Sequence, residues 1–360
     1  MNQDCLKLTT YFGERDRDDG RFVADALLDL YGRREAQVSV LLRGATGFGI
    51  RHHVRTDRLL TLSEDLPLVS IAVDTRARIE AMLDEVMAIK RRGLVTLERA
   101  RMLTGDIRPL TLPEELHEAT KLTVYAGRQE RVYGMPAHVA ICDLLYRREI
   151  AGASVLLGVD GTSHGERRRA RMFGRNADVP LMIIAVGEGR RIGRLLGELG
   201  GLLHRPLMTL ERIRVCKRDG RLLSHPPSLP ETGDSGLGLW QKLMIYNSEQ
   251  ARVGGVPQHE ALIRRLRESG ARGVTALRGI WGFHGDHAPH GDRFLQLRRH
   301  VPIVTIVIDR PDAIARSFEV VDELTRERGL VTSEIVPALT TVAEERRIGG
   351  LRMARRRPEV

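Results

Sequence analysis

The chain has 360 residues, 42% hydrophobic but only 4% aromatic, so its cores are expected to be aliphatic, built from Leu, Val and Ile. A net charge of +10, carried by runs such as Arg167-Arg168-Arg169 and Arg355-Arg356-Arg357, favours anionic partners, although solvated faces and tails account for most charge runs. No stretch of 18 uncharged apolar residues and no signal-peptide pattern occurs, which argues against membrane insertion and predicts a cytoplasmic protein; Cys5, Cys142 and Cys216 lack the paired spacing of a zinc site or disulfide framework and read as structural thiols.

Three copies of one unit follow one another. Lys7-Leu8-Thr9-Thr10-Tyr11, Lys121-Leu122-Thr123-Val124-Tyr125 and Lys242-Leu243-Met244-Ile245-Tyr246 open them. The same landmarks then return in order: Gly44, Gly158 and Gly279, then Gly47, Gly161 and Gly282, then Pro67, Pro180 and Pro302. A unit of roughly 100 residues is long enough to own a core, unlike a solenoid repeat. The expected division is 1–105, 121–215 and 241–336 for the units, 106–120 and 216–240 for the linkers, and 337–360 for a basic tail.

In the first unit Leu6 to Phe12 reads as a strand. Phe22, Val23, Ala26, Leu27 and Leu30 recur at helical spacing, predicting a helix over 22–31, and Pro257 marks the same helix start in the third unit. Ala36 to Leu42 is a second strand ending at Arg43-Gly44, and Leu68 to Val73 a third, closed by Asp74 as a candidate cap for a helix over 76–90. Leu94 to Leu97, Leu207 to Leu210 and Leu330 to Thr332 are fourth strands. The order strand, helix, strand, strand, helix, strand predicts an α+β, ferredoxin-like unit, an antiparallel sheet with two helices on one face. Lys217 to Leu239 reads as the looser linker, and the tail as frayed apart from a helix over 342–352.

The loop after the second strand carries the candidate chemistry. Arg43-Gly44-Ala45-Thr46-Gly47-Phe48-Gly49 returns as Arg278-Gly279-Ile280-Trp281-Gly282-Phe283. Glycines at this density let backbone N–H groups converge into an anion-binding nest, with the arginine adding charge-assisted bonds; the structural alternative is a hairpin that needs positive φ. The second unit keeps Gly158 and Gly161 but has Thr162-Ser163 and a run of arginines, so its site reads as degenerate, as a docking surface or as a site with an altered anion preference.

Together, Lys7 to Tyr11, Arg43 to Gly49 and Leu62-Ser63-Glu64-Asp65-Leu66-Pro67 resemble the family called domain of unknown function 190, relatives of the PII signalling proteins. The third unit matches through Lys242 to Tyr246, Arg278 to Phe283 and Val301 to Val304. The resemblance implies trimerisation through the sheets and a small anionic effector, in the first instance an adenine nucleotide, held in clefts between units. It also implies a regulatory protein that docks on a transporter, channel or enzyme and needs no cofactor. Three fused copies can close such a trimer within one chain, a monomeric pseudo-trimer with Arg43, Gly44, Gly47, Phe48 and Gly49, and Arg278, Gly279, Gly282 and Phe283, at two clefts.

Other chemistries find less support. His284, His287 and His290 are spaced for a metal, but Pro289 and the neighbouring glycines deny them a helix on which to align. No Ser-His-Asp, Walker-type or HExxH pattern is present, which leaves a nucleotide-processing enzyme in the same clefts as an alternative without a motif. Nucleic-acid binding through the basic loop and tail is a second alternative. The third strands, however, offer aliphatic residues where an RNA-binding sheet stacks bases on aromatics.

Overall fold

The computed structural model describes residues 2–49, 55–56, 65–90, 92–116, 118–163, 166–167, 179–233, 236–284, 289–291, 301–343 and 346–353. It is a mixed α/β structure in which, among the described residues, six helices pack on a large curled antiparallel sheet.

Each unit repeats one pairing scheme. In the first, the strand Asn2–Gly13 lies between Pro67–Thr75 and Gly93–Thr104, and Val38–Phe48 flanks Pro67–Thr75, giving the order fourth, first, third, second. The second unit builds the same order from Thr120–Gly127, Gly152–Leu157, Pro180–Gly187 and Leu207–Arg212. The third builds it from Trp240–Ser248, Val274–Arg278, Pro302–Asp309 and Leu330–Val336.

The strands alternate between two cores because successive side chains leave a strand on opposite faces. Leu6, Leu8, Leu41 and Ala72 join helices Val23–Arg33 and Arg76–Ile89 in a cluster on the first unit's helical side, to which Ala338, Leu351 and Met353 from the end of the chain also belong. Cys5, Val69, Ile71 and Val73 point the other way, into a cluster shared by all three units, with Met182, Ile184, Met244, Val304 and Ile306. A sheet buried on both faces needs near-continuous apolar strands, which is why the third strands read as unbroken aliphatic runs.

Two sets of strand additions join the units, and each set closes on itself. Past its glycines, the second strand of each unit crosses to a neighbour: Gly44–Phe48 pairs with Val274–Leu277, Asp160–Ser163 with Val38–Leu41, and Trp281–His284 with Gly152–Val155. Past its fourth strand, each unit pairs in the opposite sense around the molecule. Arg101–Thr104 adds to Leu207–Leu210, Arg214–Arg218 to Leu330–Ser333, and Ala338–Val342 to Gly93–Leu97.

Several expectations are corrected by this arrangement. Among the described residues after Val336, the expected helix over 342–352 is absent: Ala338–Ala343 and Arg346–Gly350 form a hairpin on the first unit's fourth strand, while 344–345 and 354–360 lie outside the described residues. The second linker begins as a paired strand, Arg214–Arg218. Asp74 does not cap the helix that follows, whose N-cap is Thr75 with no side-chain cap bond; its carboxylate accepts from the N–H groups of Thr75 and Gln37 and so pins the start of the second strand.

The first linker is strapped down by a glycine series in helix Gly189–Leu202. A Cβ at Gly189 would lie 1.8 Å from the Leu116 carbonyl oxygen, at Gly193 2.3 Å from that of Leu110, and at Gly197 2.6 Å from Pro109 Cδ. Only glycine lets the linker run this close, and the Leu110 N–H donates to the Gly193 carbonyl at 3.0 Å.

Candidate functional site

The lysine that opens each repeat lies mid-strand on the face turned toward the other units. There Lys7, Lys121 and Lys242 meet Glu98, Glu211 and Glu334 from the three fourth strands, with all six residues at most 6% exposed. The charges alternate around a ring. Glu211 Oε2 stands 2.5 Å from Lys7 and 2.7 Å from Lys121, Glu334 Oε2 is 2.5 Å from Lys121 and 2.7 Å from Lys242, and Glu98 Oε2 pairs with Lys242 and, at 3.1 Å, with Lys7. Three ammonium and three carboxylate groups leave no net charge, the condition under which buried ions persist. Burial works against ionisation of Glu98 and Glu211, yet the surrounding lysines hold both carboxyls below the usual range. Burial likewise opposes charge on Lys7 and Lys242, but the carboxylates raise both; at Lys121 burial prevails and lowers it.

These three carboxylates cluster within 4.8 Å, as metal ligands do, but the lysines between them already supply the countercharge. The ring was legible as a repeated pair, Lys in the first strand and Glu two residues after a threonine in the fourth (Thr96, Thr209, Thr332). Reading the lysines only as landmarks misses it.

The Gly-rich segments serve assembly first. Gly44, Gly47, Gly49, Gly279 and Gly282 have no positive φ, so the alternating backbone of an N–H nest is not formed there. At Gly44, Gly47, Gly279 and Gly282 the lack of a side chain answers to close approach instead, whereas Gly49 faces open space. A Cβ at Gly47 would stand 2.5 Å from the Val274 carbonyl oxygen, and one at Gly282 2.3 Å from that of Ala153. Phe48 and Phe283 are buried in the helical cores of the third and second units respectively, and Phe283 meets Tyr146 edge-on at 5.5 Å. The second unit solves the same problem with polarity: Thr162 donates to Ser39 Oγ at 2.9 Å, where the partners of Phe48 and Phe283 are Val274 and Ala153.

Arg43 and Arg278 turn outward to carboxylates of their own units, Glu14 at 2.8 Å and Glu249 at 3.0 Å, and line neither cleft described next. His284 and His290 lie in or beside the crossing strand of the third unit, while His287 lies outside the described residues, as do His52, His53, Glu64 and Arg168 to Arg171.

Clefts open where a crossing strand meets its host. Between the first and third units one of about 470 Å³ is bounded by Tyr11, Phe48, Trp240 and Ile306, with Gly47, Gly49, Arg92 and Arg272 also on its wall. Its counterpart between the third and second units holds about 20 Å³ beside Gly282, Phe283 and His284. Near the second–first junction, Gln37, Thr104 and Arg205 border a third space of about 540 Å³ that extends along Gly197 and Gly200.

The comparisons agree with the repeat. The family model for domain of unknown function 190, described as an uncharacterized ACR, matches residues 5–102, 119–215 and 240–338. A UPF0166 protein of Aquifex aeolicus (strain VF5) is 31% identical over 97 residues, 27% of this chain but 90% of that protein, so one unit here corresponds to nearly a whole relative. The chain therefore belongs to the domain of unknown function 190 family, of the PII-like type, in three tandem copies.

Proposed function

We propose that the molecule is a PII-like regulator: three ferredoxin-like units closed into a pseudo-trimer within one chain, without enzymatic activity. It holds a small anionic effector, first an adenine nucleotide, between units, and passes its occupancy to a transporter, channel or enzyme in the cytoplasm. The strand order fourth, first, third, second in every unit and the two closed sets of strand additions support the architecture. A relative the length of one unit supports the idea that fusion replaces assembly of three chains.

The observation that carries the functional reading is the cleft of about 470 Å³ between the first and third units, with aromatic and aliphatic walls and two arginines, Arg92 and Arg272, alongside Asp16 and Asp65. No helix among the described residues is long and apolar enough to cross a membrane, so a transporter or channel would be met by docking through the surface. Thermal unfolding with ATP, ADP, AMP, cyclic nucleotides and simple anions tests the reading. A ligand at a hundredfold excess over its Kd stabilises by about 2.7 kcal/mol, an increase a melting curve resolves. No shift with any of them would remove the effector reading, and multiple turnover of a nucleotide would replace the regulator with the enzyme.

A further inference from the structure

We infer that the chain takes one flat aromatic anion, in the cleft between the first and third units, and that the C-terminal hairpin forms a wall of that site. The inference rests on the reading that an inter-unit cleft holds an effector, and it specifies which cleft and what kind of molecule.

The repeat allows the three clefts to be compared position by position. Two residues before the ring lysine stands Trp240 in this cleft, but Cys5 and Ala119 in the others. The residue that starts the second strand, its N–H held by an aspartate in the first and third units, is Arg272 here, and Gln37 and Ala151 elsewhere. Opposite the leucine that opens the fourth strand stands Thr341 here, Thr104 at the second–first junction, and Arg218 at the third–second. Only one cleft therefore combines a large aromatic, a guanidinium and a hydroxyl. The third–second cleft, at about 20 Å³, has room for little more than a water. The second–first space is larger, but its walls are glycines, Gln37, Thr104 and other residues with no large aromatic, and the positions of Trp240 and Phe48 are Cys5 and Thr162 there.

Two polar atoms on this wall lack partners. Thr341 Oγ1 belongs to a residue only 4% exposed and has no hydrogen-bond partner, and Nη1 of Arg272 is buried with none, although its Nε lies 3.5 Å from Asp309. A buried donor left unpaired is costly, and a ligand that brings an acceptor removes the cost. The cleft's two carboxylates are already engaged, Asp16 by the Gly13 N–H and Asp65 by the Arg15 N–H, so aromatic and aliphatic walls with the Arg272 guanidinium and the Thr341 hydroxyl left to pair select a flat ring carrying an anionic group. The wall that bears Thr341 and Leu339 is the hairpin strand Ala338–Ala343. Its return strand packs over Trp240, so closely that a Cβ at Gly349 would lie 3.3 Å from Trp240 Cζ2. Ligand and hairpin thus share contacts, and occupancy stabilises hairpin docking on the first unit.

The test uses 8-anilinonaphthalene-1-sulfonate, a flat aromatic anion that needs no knowledge of the natural effector, with the full chain. The chain has two tryptophans, Trp240 and Trp281, so energy transfer to the dye reports where it sits. The expected result is one dye per chain, with transfer retained in Trp281→Phe and lost in Trp240→Phe. Arg272→Gln and, independently, Thr341→Val weaken binding, the former by about tenfold or more. Amides of 338–343 exchange more slowly with the dye bound. Absence of binding, two or more sites per chain, transfer unchanged in Trp240→Phe, or full affinity in both polar variants overturns the inference. Adenine nucleotides that fail to displace a dye bound in the expected way leave this inference standing and remove only the nucleotide assignment.

Discussion

Replacing Lys7 by methionine takes one of three ammonium groups out of the ring. Lys7 Nζ stands 2.5 Å from Glu211 and 3.1 Å from Glu98, and all three side chains are nearly inaccessible, so neither water nor another cation can replace it. The variant keeps three buried carboxylates against two lysines. Breaking a buried ion pair from one side costs about 3–5 kcal/mol, a large share of the ~5–15 kcal/mol that holds a typical protein folded. With an unfolding entropy of about 2.1 cal/mol/K per residue over the chain, this corresponds to a fall in Tm of roughly 4–7 °C. Urea unfolding and calorimetry at neutral pH measure both. The discriminating variant is Lys7→Met with Glu211→Gln, which leaves two lysines and two glutamates as a balanced, still connected set. It should be more stable than the sum of the single losses by about 1–3 kcal/mol. A Lys7→Met loss below about 1 kcal/mol, or strict additivity in the double variant, would refute the view that the ring must remain neutral.

Further expectations concern pH, the crossing strands and the thiols. Glu98 and Glu211 have lowered folded values, so their contribution is complete above the ordinary carboxylate range and lost as pH falls through those lower values. Lys7 and Lys242 are raised, so theirs is complete below the ordinary lysine value and lost as pH climbs through the higher one. Lys121, lowered by burial, works in the opposite sense. Stability measured against pH should show a broad plateau that Glu98→Gln makes shallower on its acid side. Gly282→Ala puts a methyl group 2.3 Å from a carbonyl oxygen of the second unit and should cost about 1–3 kcal/mol or more; unchanged stability would mean the third unit's strand is not docked there. Phe283→Ala should cost about 3–5 kcal/mol in the same unfolding assay. Cys5, Cys142 and Cys216 are buried, desolvation pushing the Cys216 thiol up to about 12 and the other two higher, so a thiol reagent at pH 8 should label none before denaturation.

The internal architecture of a unit was readable because it depends on local pattern. Helical spacing from Val23 to Leu30, the aliphatic run Leu68 to Val73 and the proline before it are signals a single unit carries alone. What lies between units was not readable in the same way. Gly44 to Phe48 has the composition of a turn, and only the presence of Val274–Leu277 beside it makes it a strand. Ala338 to Ala343 likewise gains its partner from residues far earlier in the chain, and its polar, arginine-rich continuation disguised it as a tail. Phe48 and Phe283 stand out in sequence beside the glycines, but only the assembled units show each ring buried in a neighbour's helical core. Lys7, Lys121 and Lys242 were in view from the start. Their burial follows only once three sheets turn the same face inward.

The closed strand additions have a consequence for synthesis. The exposed edge of the first unit's fourth strand, Gly93–Leu97, is covered by 338–342, which leave the ribosome only after all three units have been translated. Until then the nascent chain carries an unpaired sheet edge and an incomplete ring of charges, both invitations to pair with the wrong neighbour. Keeping all three units in one chain therefore introduces a waiting period, during which the earliest unit to emerge depends on the latest strand.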